Sequence, residues 1–410
     1  MFLQQITRKN PELIKVAAQL HQAGAIPPNT YVFDADTFEE NGKKLRAEAD
    51  KYGLKLYFMT KQHGRNPELF RRIIRPGAKE TVCVNMQCAR VLHRHGIGIG
   101  HMGNLCQVPK YELEKVVNTY RPEVISVFSV EKAKQISDVC AKYNKTQKLL
   151  LRVHAPEDVL FLGMEGGFFL EELKKVASEI AMMPGVSIEG VSTFPAVASD
   201  KDGTEPVATR NLTTLREAKQ MLESMGIECN TVNAPGNNCC ANMKMLAENG
   251  VTHIEPGSAL TGSSTYHLFT DDEPETPAMV YVTEVSHLWD AQAYVYGEGF
   301  FIDDPPVTLS KDFKHYAYFG SDPDKIMERK MMFTGIGARP GSGFAKIDYH
   351  GLLDPNGQDV HVGDTVVFGF RGQLFMTRAY TAVVEGMASG NPRLVGVWDW
   401  AGHRVGGDVE

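Results

Sequence analysis

The chain has 410 residues, of which 43% are hydrophobic and 23% charged, and its formal net charge is −7. This composition is ordinary for a globular protein, and the length predicts two domains rather than one. The acidic balance argues against a nucleic-acid binder, which usually carries a basic face. No apolar run approaches the roughly 18 residues that a membrane helix needs, so no membrane partner is expected.

The cysteines and the N-terminus predict a cellular compartment. Cys239 and Cys240 are adjacent, the other five cysteines are scattered, and no metal-binding Cys/His spacing occurs. The N-terminal residues lack the long apolar core and the cleavage site of a secretory signal. We therefore expect a reducing, cytoplasmic location. No two histidines stand with a carboxylate at usable spacing, so no metal site is expected.

The first two thirds of the chain alternate between short apolar runs and helical patterns. Residues 1–27 predict one short helix with Asn10 as N-cap and Pro11 as first residue, and Thr37–Glu40 predicts a capping box that opens a further helix. The predicted strands lie near 55–60, 81–85, 97–101, 124–128, 148–153, 187–193, 229–233 and 252–255. Such strand–helix units predict a (β/α)₈ TIM barrel over 28–270, with an open doubly wound sheet as the alternative.

Beyond residue 270 the pattern changes to alternating apolar runs separated by turns. These runs include 279–285, 291–303, 344–350, 364–370, 375–386 and 393–400. Period-two alternation bounded by turn residues is typical of antiparallel strands. We therefore predict an α/β chain in which the TIM barrel is followed by a C-terminal antiparallel β domain over 271–410.

Lys61 follows directly on the first predicted barrel strand. Active sites of such barrels lie at the carboxyl ends of the strands, and a partly desolvated lysine there has a lowered pKa and becomes a nucleophile toward carbonyl groups. A solvated lysine that merely follows a strand is the structural alternative. His63 and His101 are predicted to lie on the same face of the barrel, either in the site or as hydrogen-bonded structural histidines.

Two turn-forming loops follow the predicted seventh and eighth strands. They run from Asn233 to Asn238 and from Glu255 to Ser264, and both are rich in glycine, asparagine and hydroxyl side chains. Loops at these positions of a barrel often bind phosphate, because free N–H groups and a helix N-terminus attract an anion. Either loop alone could be a plain turn.

One motif favours a different function. The stretch from Gly98 to Gly103 satisfies G-x-G-x-x-G, and Glu123 follows about 20 residues on, as in dinucleotide-binding proteins. However, Asn104 to Pro109 intervene before helical residues begin, whereas a dinucleotide fold needs the glycine loop to open a helix directly. An NAD-dependent dehydrogenase is therefore the less favoured interpretation.

The barrel segments resemble the fold-type III pyridoxal 5′-phosphate (PLP) enzymes, the family of alanine racemase and the eukaryotic-type ornithine decarboxylases. The segments are LYFMTKQHGRNP around Lys61, VCVNMQCARVLHRHGI at 82–97, LLLRVHAPED at 149–158 and HIEPGSALTG at 253–262. The chain is most similar in character to YhfX-type, amino-acid-racemase-like proteins. The contexts of Lys61 and of the Glu-Pro-Gly segment are the most specific parts of the resemblance.

The resemblance implies roles for individual residues. Lys61 would form the internal aldimine with PLP and, once released, act as a base at Cα. Glu255 matches the glutamate that faces the pyridine nitrogen in the decarboxylases, and a carboxylate there favours a quinonoid intermediate. The remaining residues that would bind the cofactor are His63, His101, Arg152, Asn233, Gly236, Asn237, Gly257, Ser258, Gly262 and Tyr380.

Racemisation needs a second acid–base group on the opposite face of the substrate. In alanine racemases this is a tyrosine of the partner subunit, and Tyr296 is the nearest candidate here, although a packed strand tyrosine is the alternative. The decarboxylases instead use a Cys-Asp pair from the partner, and no cysteine follows Cys240. Tyr380 could reach the phosphate from the β domain.

Together these features predict a PLP-dependent amino-acid racemase or epimerase that acts on a small-molecule amino acid. The resemblance implies a homodimer whose subunits share active sites. A PLP-dependent decarboxylase or aldolase, or a PLP-binding regulatory protein, remains open as an alternative, because the same carbanion at Cα serves several reactions. The sequence does not identify the substrate or the bond broken.

Overall fold

The structure is a computed structural model that describes residues 2–301, 314–337 and 347–406. The sequence prediction of strands at 291–303 and 344–350 falls partly outside these ranges. No helix of the described residues is long and apolar enough to cross a membrane. The seven cysteines are free thiols.

The chain begins with two helices, not the single helix that the sequence predicts. They are α1 (Phe2–Lys9) and α2 (Pro11–Gln22), and Pro11 is the first residue of α2 as predicted. Asn10 makes no side-chain cap bond; its amide instead donates to the Asp34 carboxylate at 2.9 Å and to the Pro277 carbonyl at 3.0 Å. The Asn10 side chain therefore connects the N-terminus to the two segments that flank the barrel.

The next two elements correct the prediction around Thr37. Strand β1 (Thr30–Asp34) leads into helix α3 (Ala35–Lys51), whose N-cap is Asp34. The Asp34 side chain accepts the Thr37 N–H at 3.2 Å. The helix therefore begins two residues before the predicted capping box, because an aspartate caps as well as a threonine.

The barrel occupies the centre of the chain. Its parallel strands are β2 (Lys55–Leu56), β3 (Phe58–Met59), β4 (Thr81–Cys83), β5 (His101–Met102), β6 (Val124–Val127), β7 (Gln147–His154), β9 (Val186–Ser192), β12 (Thr231–Asn233) and β13 (His253–Ile254); a short strand β8 (Phe168–Phe169) pairs with β7, and β10 (Val197–Ser199) pairs with β11 (Pro206–Ala208). The helices between them are α4 (Pro67–Ile73), α5 (Met86–Arg94), α6 (Leu113–Lys115), α7 (Val130–Tyr143), α8 (Leu173–Ala181), α9 (Arg210–Ser224) and α10 (Cys240–Glu248).

The parallel sheet closes on itself. The strand order is β2-β13-β12-β9-β7-β6-β5-β4-β3, and β2 and β3 are the two halves of one strand interrupted at Tyr57. His253 pairs with Lys55 on one side of this strand, while Phe58 pairs with Thr81 on the other. The predicted TIM barrel is thus confirmed, and the open sheet is excluded because an open sheet has no such closing pair.

The G-x-G-x-x-G segment has a packing role. Gly98 and Gly100 precede strand β5 instead of following a strand as the motif requires. A Cβ atom at Gly100 would lie 2.2 Å from the Tyr57 ring and 2.4 Å from the Lys79 carbonyl oxygen. The glycine is needed because the backbone passes close to neighbouring barrel elements.

The second domain is a largely antiparallel sheet. Its strands are β14 (Met279–Trp289), β15 (Gln292–Tyr296), β16 (Tyr316–Gly320), β17 (Lys330–Ile336), β18 (His350–Asp354), β19 (Thr365–Phe368), β20 (Tyr380–Glu385), β21 (Arg393–Trp398) and β22 (Arg404–Val405). Their order within the described residues is β15-β18-β17-β16-β19-β14-β1-β20-β21-β22. The predicted C-terminal β domain is confirmed.

Strand β1 joins the two domains. Thr30 to Asp34 precede the barrel in the sequence, yet they pair with β14 and in parallel with β20 in the second sheet. One face of β1 presents Tyr31 and Phe33 to the core that includes the barrel, whereas Val32 faces a second core that includes helix α2. The predicted boundaries at residues 27 and 270 stay predictions, and β1 shows that the sheet recruits a strand from the N-terminal side.

Candidate active site

Lys61 lies at the mouth of the barrel, two residues after strand β3. Its side chain lines a cavity of about 830 Å³, and its Nζ atom lies 4.7 Å from the centre of the Phe375 ring. Burial is the main cause that lowers the pKa of Lys61, and the nearby Arg371 guanidinium lowers it further. The amine is therefore held closer to its neutral, nucleophilic form than a solvated lysine.

Glu255 follows strand β13 and lines the same cavity. Its Oε1 atom lies 2.5 Å from His101 Nδ1 and accepts the Asn233 amide at 2.8 Å, while Oε2 accepts the Asn104 amide at 3.2 Å. All four side chains are buried. Hydrogen bonds to both oxygens hold the carboxylate in one orientation, which burial of a charge requires.

The cavity is closed by residues from several loops. The barrel loops contribute an apolar wall that includes Met59, Leu105, Val159, Phe161, Met164, Phe194 and Pro195. The β domain contributes Phe301, Arg371, Gln373, Phe375 and Met376. A cavity of this size with an apolar lining and a few polar groups is typical of a cofactor or small-molecule site.

The two predicted phosphate loops both reach the cavity. Gly236, Asn237, Gly257 and Ser258 line it, and their binding of a phosphate stays a prediction. Gly236 has φ +140° and Asn237 φ +48°, and no acceptor among the described residues takes a hydrogen bond from either backbone N–H. Consecutive free N–H groups of this kind form a concave site for an anion.

Close packing explains why these loops carry glycine. A Cβ atom on Gly236 would lie 2.9 Å from the Ala196 backbone nitrogen, and one on Gly257 would lie 2.7 Å from the Gln62 side-chain oxygen. Ser258 is tied to the β domain, because its hydroxyl accepts the Arg371 Nε–H at 3.1 Å. The loop after β13 is therefore packed between the two domains.

Arg152 supports the cavity wall without lining it. Its guanidinium donates to the carbonyl oxygens of Asn104 at 3.0 Å and Met164 at 2.8 Å, and it lies 4.8 Å from the Phe128 ring. Both acceptor residues line the cavity. Arg152 forms no ion pair with Asp158 among the described residues, since the Asp158 carboxylate accepts hydrogen bonds from the Ala155 N–H and the Thr214 hydroxyl.

His63 and Gly262 are not brought to the cavity, contrary to the sequence prediction. The His63 ring is fully buried among the rings of Phe33, Phe38 and Phe70, and burial lowers its pKa to about 3. The tight turn after Lys61 directs this side chain into the core. Gly262 packs against the interdomain segment, where a Cβ atom would lie 2.5 Å from the Thr276 carbonyl carbon.

His101 and Asn233 contact Glu255 instead of lining the cavity. The predicted role of both residues near the cofactor therefore becomes one of orienting the carboxylate. His101 also bonds through Nε2 to the Ser126 hydroxyl at 2.7 Å. Both side chains point into the barrel, because alternate residues of a barrel strand face inward.

The two tyrosines of the β domain lie away from this chain's own cavity. Tyr380 packs with Ala382 and Val384 on the sheet face that contacts the second core, opposite to the barrel. The period-two alternation of strand β20 therefore directs it away from the phosphate loops. Tyr296, at the end of β15, is 39% exposed and does not line the cavity. A role for Tyr296 in catalysis requires a second subunit.

The sequence reasoning missed the segment from Arg371 to Met376. It follows strand β19 and contributes a cation, an amide and an aromatic ring to the cavity beside Lys61. An arginine after an apolar strand carries no local signal for a site. Its position follows from how the two domains pack, which the sequence pattern does not show.

The family comparisons agree with this geometry. Residues 33–265 match the model of the alanine racemase N-terminal domain, and residues 280–394 match the YhfX-like C-terminal domain. A relative in Escherichia coli strain K12, the uncharacterized protein YhfX, is 35% identical over 406 residues, which cover 99% of this chain and 100% of that protein.

Solved structures share the fold at low identity. They include D-threonine aldolase from Filomicrobium marinum (TM-score 0.62, 17% identity, 92% of this chain and 95% of that chain). D-threo-3-hydroxyaspartate dehydratase from Delftia sp. HT23 (TM-score 0.63, 15% identity) covers 90% of this chain and 97% of its own. For alanine racemase of Clostridium difficile 630 in complex with cycloserine (TM-score 0.61, 14% identity), the match covers 91% of this chain and 98% of that chain.

The family match spans more than half of the chain, and the Escherichia coli relative matches nearly all of it. The match to the alanine racemase N-terminal domain covers the barrel, and the match to the YhfX-like C-terminal domain lies within the β domain. The chain therefore belongs to the alanine racemase-like, fold-type III family of PLP proteins and is a relative of YhfX.

Proposed function

We propose that the protein is a PLP-dependent amino-acid racemase or epimerase that acts at the Cα atom of a small amino acid. The observation that carries this proposal is the cavity itself. A desolvated amine, a buried carboxylate and an anion-binding loop line one cavity of about 830 Å³, at Lys61, Glu255 and Gly236–Asn237 respectively. PLP needs all three: an amine for its aldehyde, a carboxylate for its ring nitrogen and an anion site for its phosphate.

The residues present fit PLP. Gly236, Asn237, Gly257 and Ser258 would hold the phosphate, and Lys61 would bind the aldehyde carbon covalently. The Glu255 carboxylate would accept a hydrogen bond from the ring nitrogen and stabilise its positive charge. When bound, PLP supplies an electron sink for the charge that develops at Cα.

The protein residues then account for the movement of the proton. Lys61 would be the base that takes the proton from Cα on one face of the substrate. Its pKa, which burial lowers, favours the neutral amine over the ammonium more than in a solvated lysine, and a base must be neutral to accept a proton. The acid on the opposite face would be Tyr296 of a partner subunit in a homodimer, since Tyr296 does not line its own chain's cavity.

The first experiment tests the cofactor and its lysine. The protein is incubated with PLP, reduced with borohydride and digested, and the modified peptide is identified by mass spectrometry. We expect the label on Lys61 and its loss in Lys61→Ala. Lys55→Ala is the matched control, because Lys55 is exposed on the preceding half-strand. A label on another lysine would contradict the proposal.

The second experiment tests the reaction. A panel of amino acids is incubated with the holoenzyme in D₂O, and deuterium at Cα and optical rotation are measured together. We expect exchange accompanied by loss of optical activity. Release of CO₂ would identify a decarboxylase, and release of an aldehyde from a β-hydroxy amino acid would identify an aldolase like the structural neighbour from Filomicrobium marinum. Binding of PLP without any turnover would favour a regulatory protein.

A further inference from the structure

A second polar cluster lies away from the cavity, in the segment that connects the barrel to the β domain. It consists of His267, Glu273 and Glu275, each of which offers one ligand atom, and these atoms all lie within 4.8 Å of one another. His267 is 2% exposed and Glu275 is fully buried. No sequence motif predicts this cluster, because its single histidine is six and eight residues from the two glutamates.

The cluster holds three buried polar atoms that have no hydrogen-bond partner among the described residues. They are His267 Nε2, Glu273 Oε2 and Glu275 Oε2. A buried atom of this kind destabilises the fold unless it is satisfied, and a charged group does so more strongly. No lysine or arginine of the described residues forms an ion pair with either glutamate; Glu275 Oε2 faces only His267 Nε2, at 3.4 Å, and that imidazole is a counter-ion only when it is protonated.

The other atoms of these side chains are held by their neighbours. The Ser264 hydroxyl lies 2.5 Å from His267 Nδ1, and the Cys240 backbone N–H donates to Glu275 Oε1 at 2.9 Å. If the Nδ1 proton is donated to Ser264, the lone pair of Nε2 points toward the carboxylates. Partners that fix the tautomer of a histidine and the orientation of a carboxylate are typical of metal ligands.

We propose that His267, Glu273 and Glu275 bind a divalent transition-metal ion, with Zn²⁺ as the best fit. The distance between His267 Nε2 and Glu275 Oε2 is 3.4 Å. Two ligands at the usual bond lengths of about 2.0–2.1 Å on a tetrahedral Zn²⁺ lie ~3.4 Å apart. The imidazole ligand favours Zn²⁺ and its spectroscopic substitute Co²⁺ over Ca²⁺ and Mg²⁺, which prefer oxygen ligands throughout.

The position of the cluster gives the ion a structural role. His267 lies two residues after Thr265, which lines the cavity, and Glu275 contacts the N-terminus of α10, which follows the phosphate loop. The ion would therefore fix the loop after β13, the start of α10 and the interdomain segment to one another. This role does not depend on the reaction at Lys61.

The test is metal binding by the full-length protein after removal of any histidine tag. The protein is treated with a chelator, dialysed and titrated with Zn²⁺ against a chromophoric competitor, and bound zinc is counted by mass spectrometry. We expect one Zn²⁺ per chain that a large excess of Ca²⁺ does not displace. Replacement by Co²⁺ would give the visible absorption of a cobalt site with nitrogen and oxygen ligands.

Variants assign the ion to the cluster. Ser264→Ala removes only the partner of a ligand and should weaken Zn²⁺ binding by roughly 10–100-fold, whereas His267→Gln and Glu273→Gln should weaken it more. His361→Gln is the matched control, since His361 and Asp359 form an exposed pair at 3.5 Å without a third ligand. Its zinc content should equal that of the unsubstituted protein.

Two outcomes would overturn the proposal. One is an unsubstituted protein that retains no more Zn²⁺, Co²⁺ or Mn²⁺ than the His267→Gln variant, which would make the cluster an ordinary His–Glu ion pair. The other is binding that Ser264→Ala and Glu273→Gln leave unchanged. Glu273 is only partly buried, so its variant stays informative if substitution of His267 prevents folding.

Discussion

The Glu255 carboxylate and the His101 imidazole lie 2.5 Å apart inside the barrel, and both side chains are inaccessible to solvent. The other ring nitrogen of His101, Nε2, is hydrogen-bonded to the Ser126 hydroxyl at 2.7 Å. The Ser126 hydroxyl in turn lies 3.3 Å from the Ser192 hydroxyl. With Glu255 ionised, His101 Nδ1 carries the proton and donates to it. The carboxylate of Glu255, a residue of the cavity lining, is thus supported by a chain of polar side chains that crosses the barrel interior.

The first prediction concerns this support. His101→Phe removes one donor from the buried Glu255 carboxylate, and we expect a loss of about 1–3 kcal/mol in the free energy of unfolding. Urea denaturation measures this loss. His253→Phe is the control, because the buried His253 ring stacks on Tyr57 at 5.2 Å, a contact that phenylalanine retains, and its only hydrogen bond among the described residues is with the partly exposed Thr252 hydroxyl at 2.8 Å. Equal losses in the two variants would show that the bond to Glu255 contributes no more than this peripheral bond.

The second prediction concerns the pH dependence that Lys61 produces in the cofactor-free protein. Burial lowers the pKa of Lys61 in the folded state, whereas the unfolded value is about 10.4. Between these two pKa values the unfolded chain binds more protons than the folded chain, so the free energy of unfolding rises with pH across this window. Below the window the buried ammonium destabilises the fold.

Replacing the lysine isolates its contribution. Lys61→Met keeps a side chain of similar length without a titratable group, so the stability difference between this variant and the unsubstituted protein should shrink as pH rises toward 10.4. Chemical denaturation at a series of pH values measures the difference. A difference that is constant with pH would mean that the Lys61 amine is solvated in the folded state.

The sequence predicted the barrel well because its signals are local. The apolar run near 124–128 predicts strand β6, and the helical pattern that follows it corresponds to helix α7. The ends of strands determine which face carries the site, so Lys61 and Glu255 could be assigned to one cavity. Both assignments depend only on the order and spacing of residues.

What the sequence could not predict depends on packing between distant segments. His63 was expected near Lys61, yet the turn between them directs the ring among three phenylalanines. Arg371 reaches the cavity only because the sheet packs over the barrel mouth. Strand β1 pairs with β20, which is some 350 residues later in the chain. The periodic pattern of apolar residues carries no information about contacts between segments so far apart in the sequence.

The third prediction concerns the anion loop. Gly236→Ala places a Cβ atom 2.9 Å from the Ala196 nitrogen at φ +140°, so we expect a loss of about 1–2 kcal/mol in stability and weaker binding of PLP. Affinity for pyridoxal, which lacks the phosphate, should fall less. Gly226→Ala is the control, because Gly226 also has a positive φ (+76°) but nothing lies within 4 Å of its Cβ position.

Comparison of Gly236→Ala with Gly226→Ala separates the cost of backbone strain from a loss of phosphate binding. Gly226→Ala should lose similar stability while its affinity for PLP stays unchanged, since it follows helix α9 and does not line the cavity. Fluorescence titration of each protein with PLP and with pyridoxal measures both affinities. If Gly236→Ala weakens both ligands equally, the loop after β12 does not bind the phosphate.

The last prediction tests whether Tyr296 acts in the site of a partner subunit. Lys61→Ala and Tyr296→Phe should each be inactive in racemisation when prepared alone. Mixed in equal amounts and allowed to exchange subunits, they form heterodimers in half of the molecules. If each site combines Lys61 of one chain with Tyr296 of the other, one site per heterodimer is intact, and about a quarter of the unsubstituted activity should return.

The control is a mixture of two variants that both lack Lys61. Lys61→Ala mixed with Lys61→Met cannot form an intact site and should stay inactive. Tyr296 is 39% exposed in the single chain, so the Tyr296→Phe protein should fold normally and bind PLP. If that variant alone retains full racemase activity, or if the mixture recovers none, then Tyr296 is not the second acid and another group performs that step on the far side of the substrate.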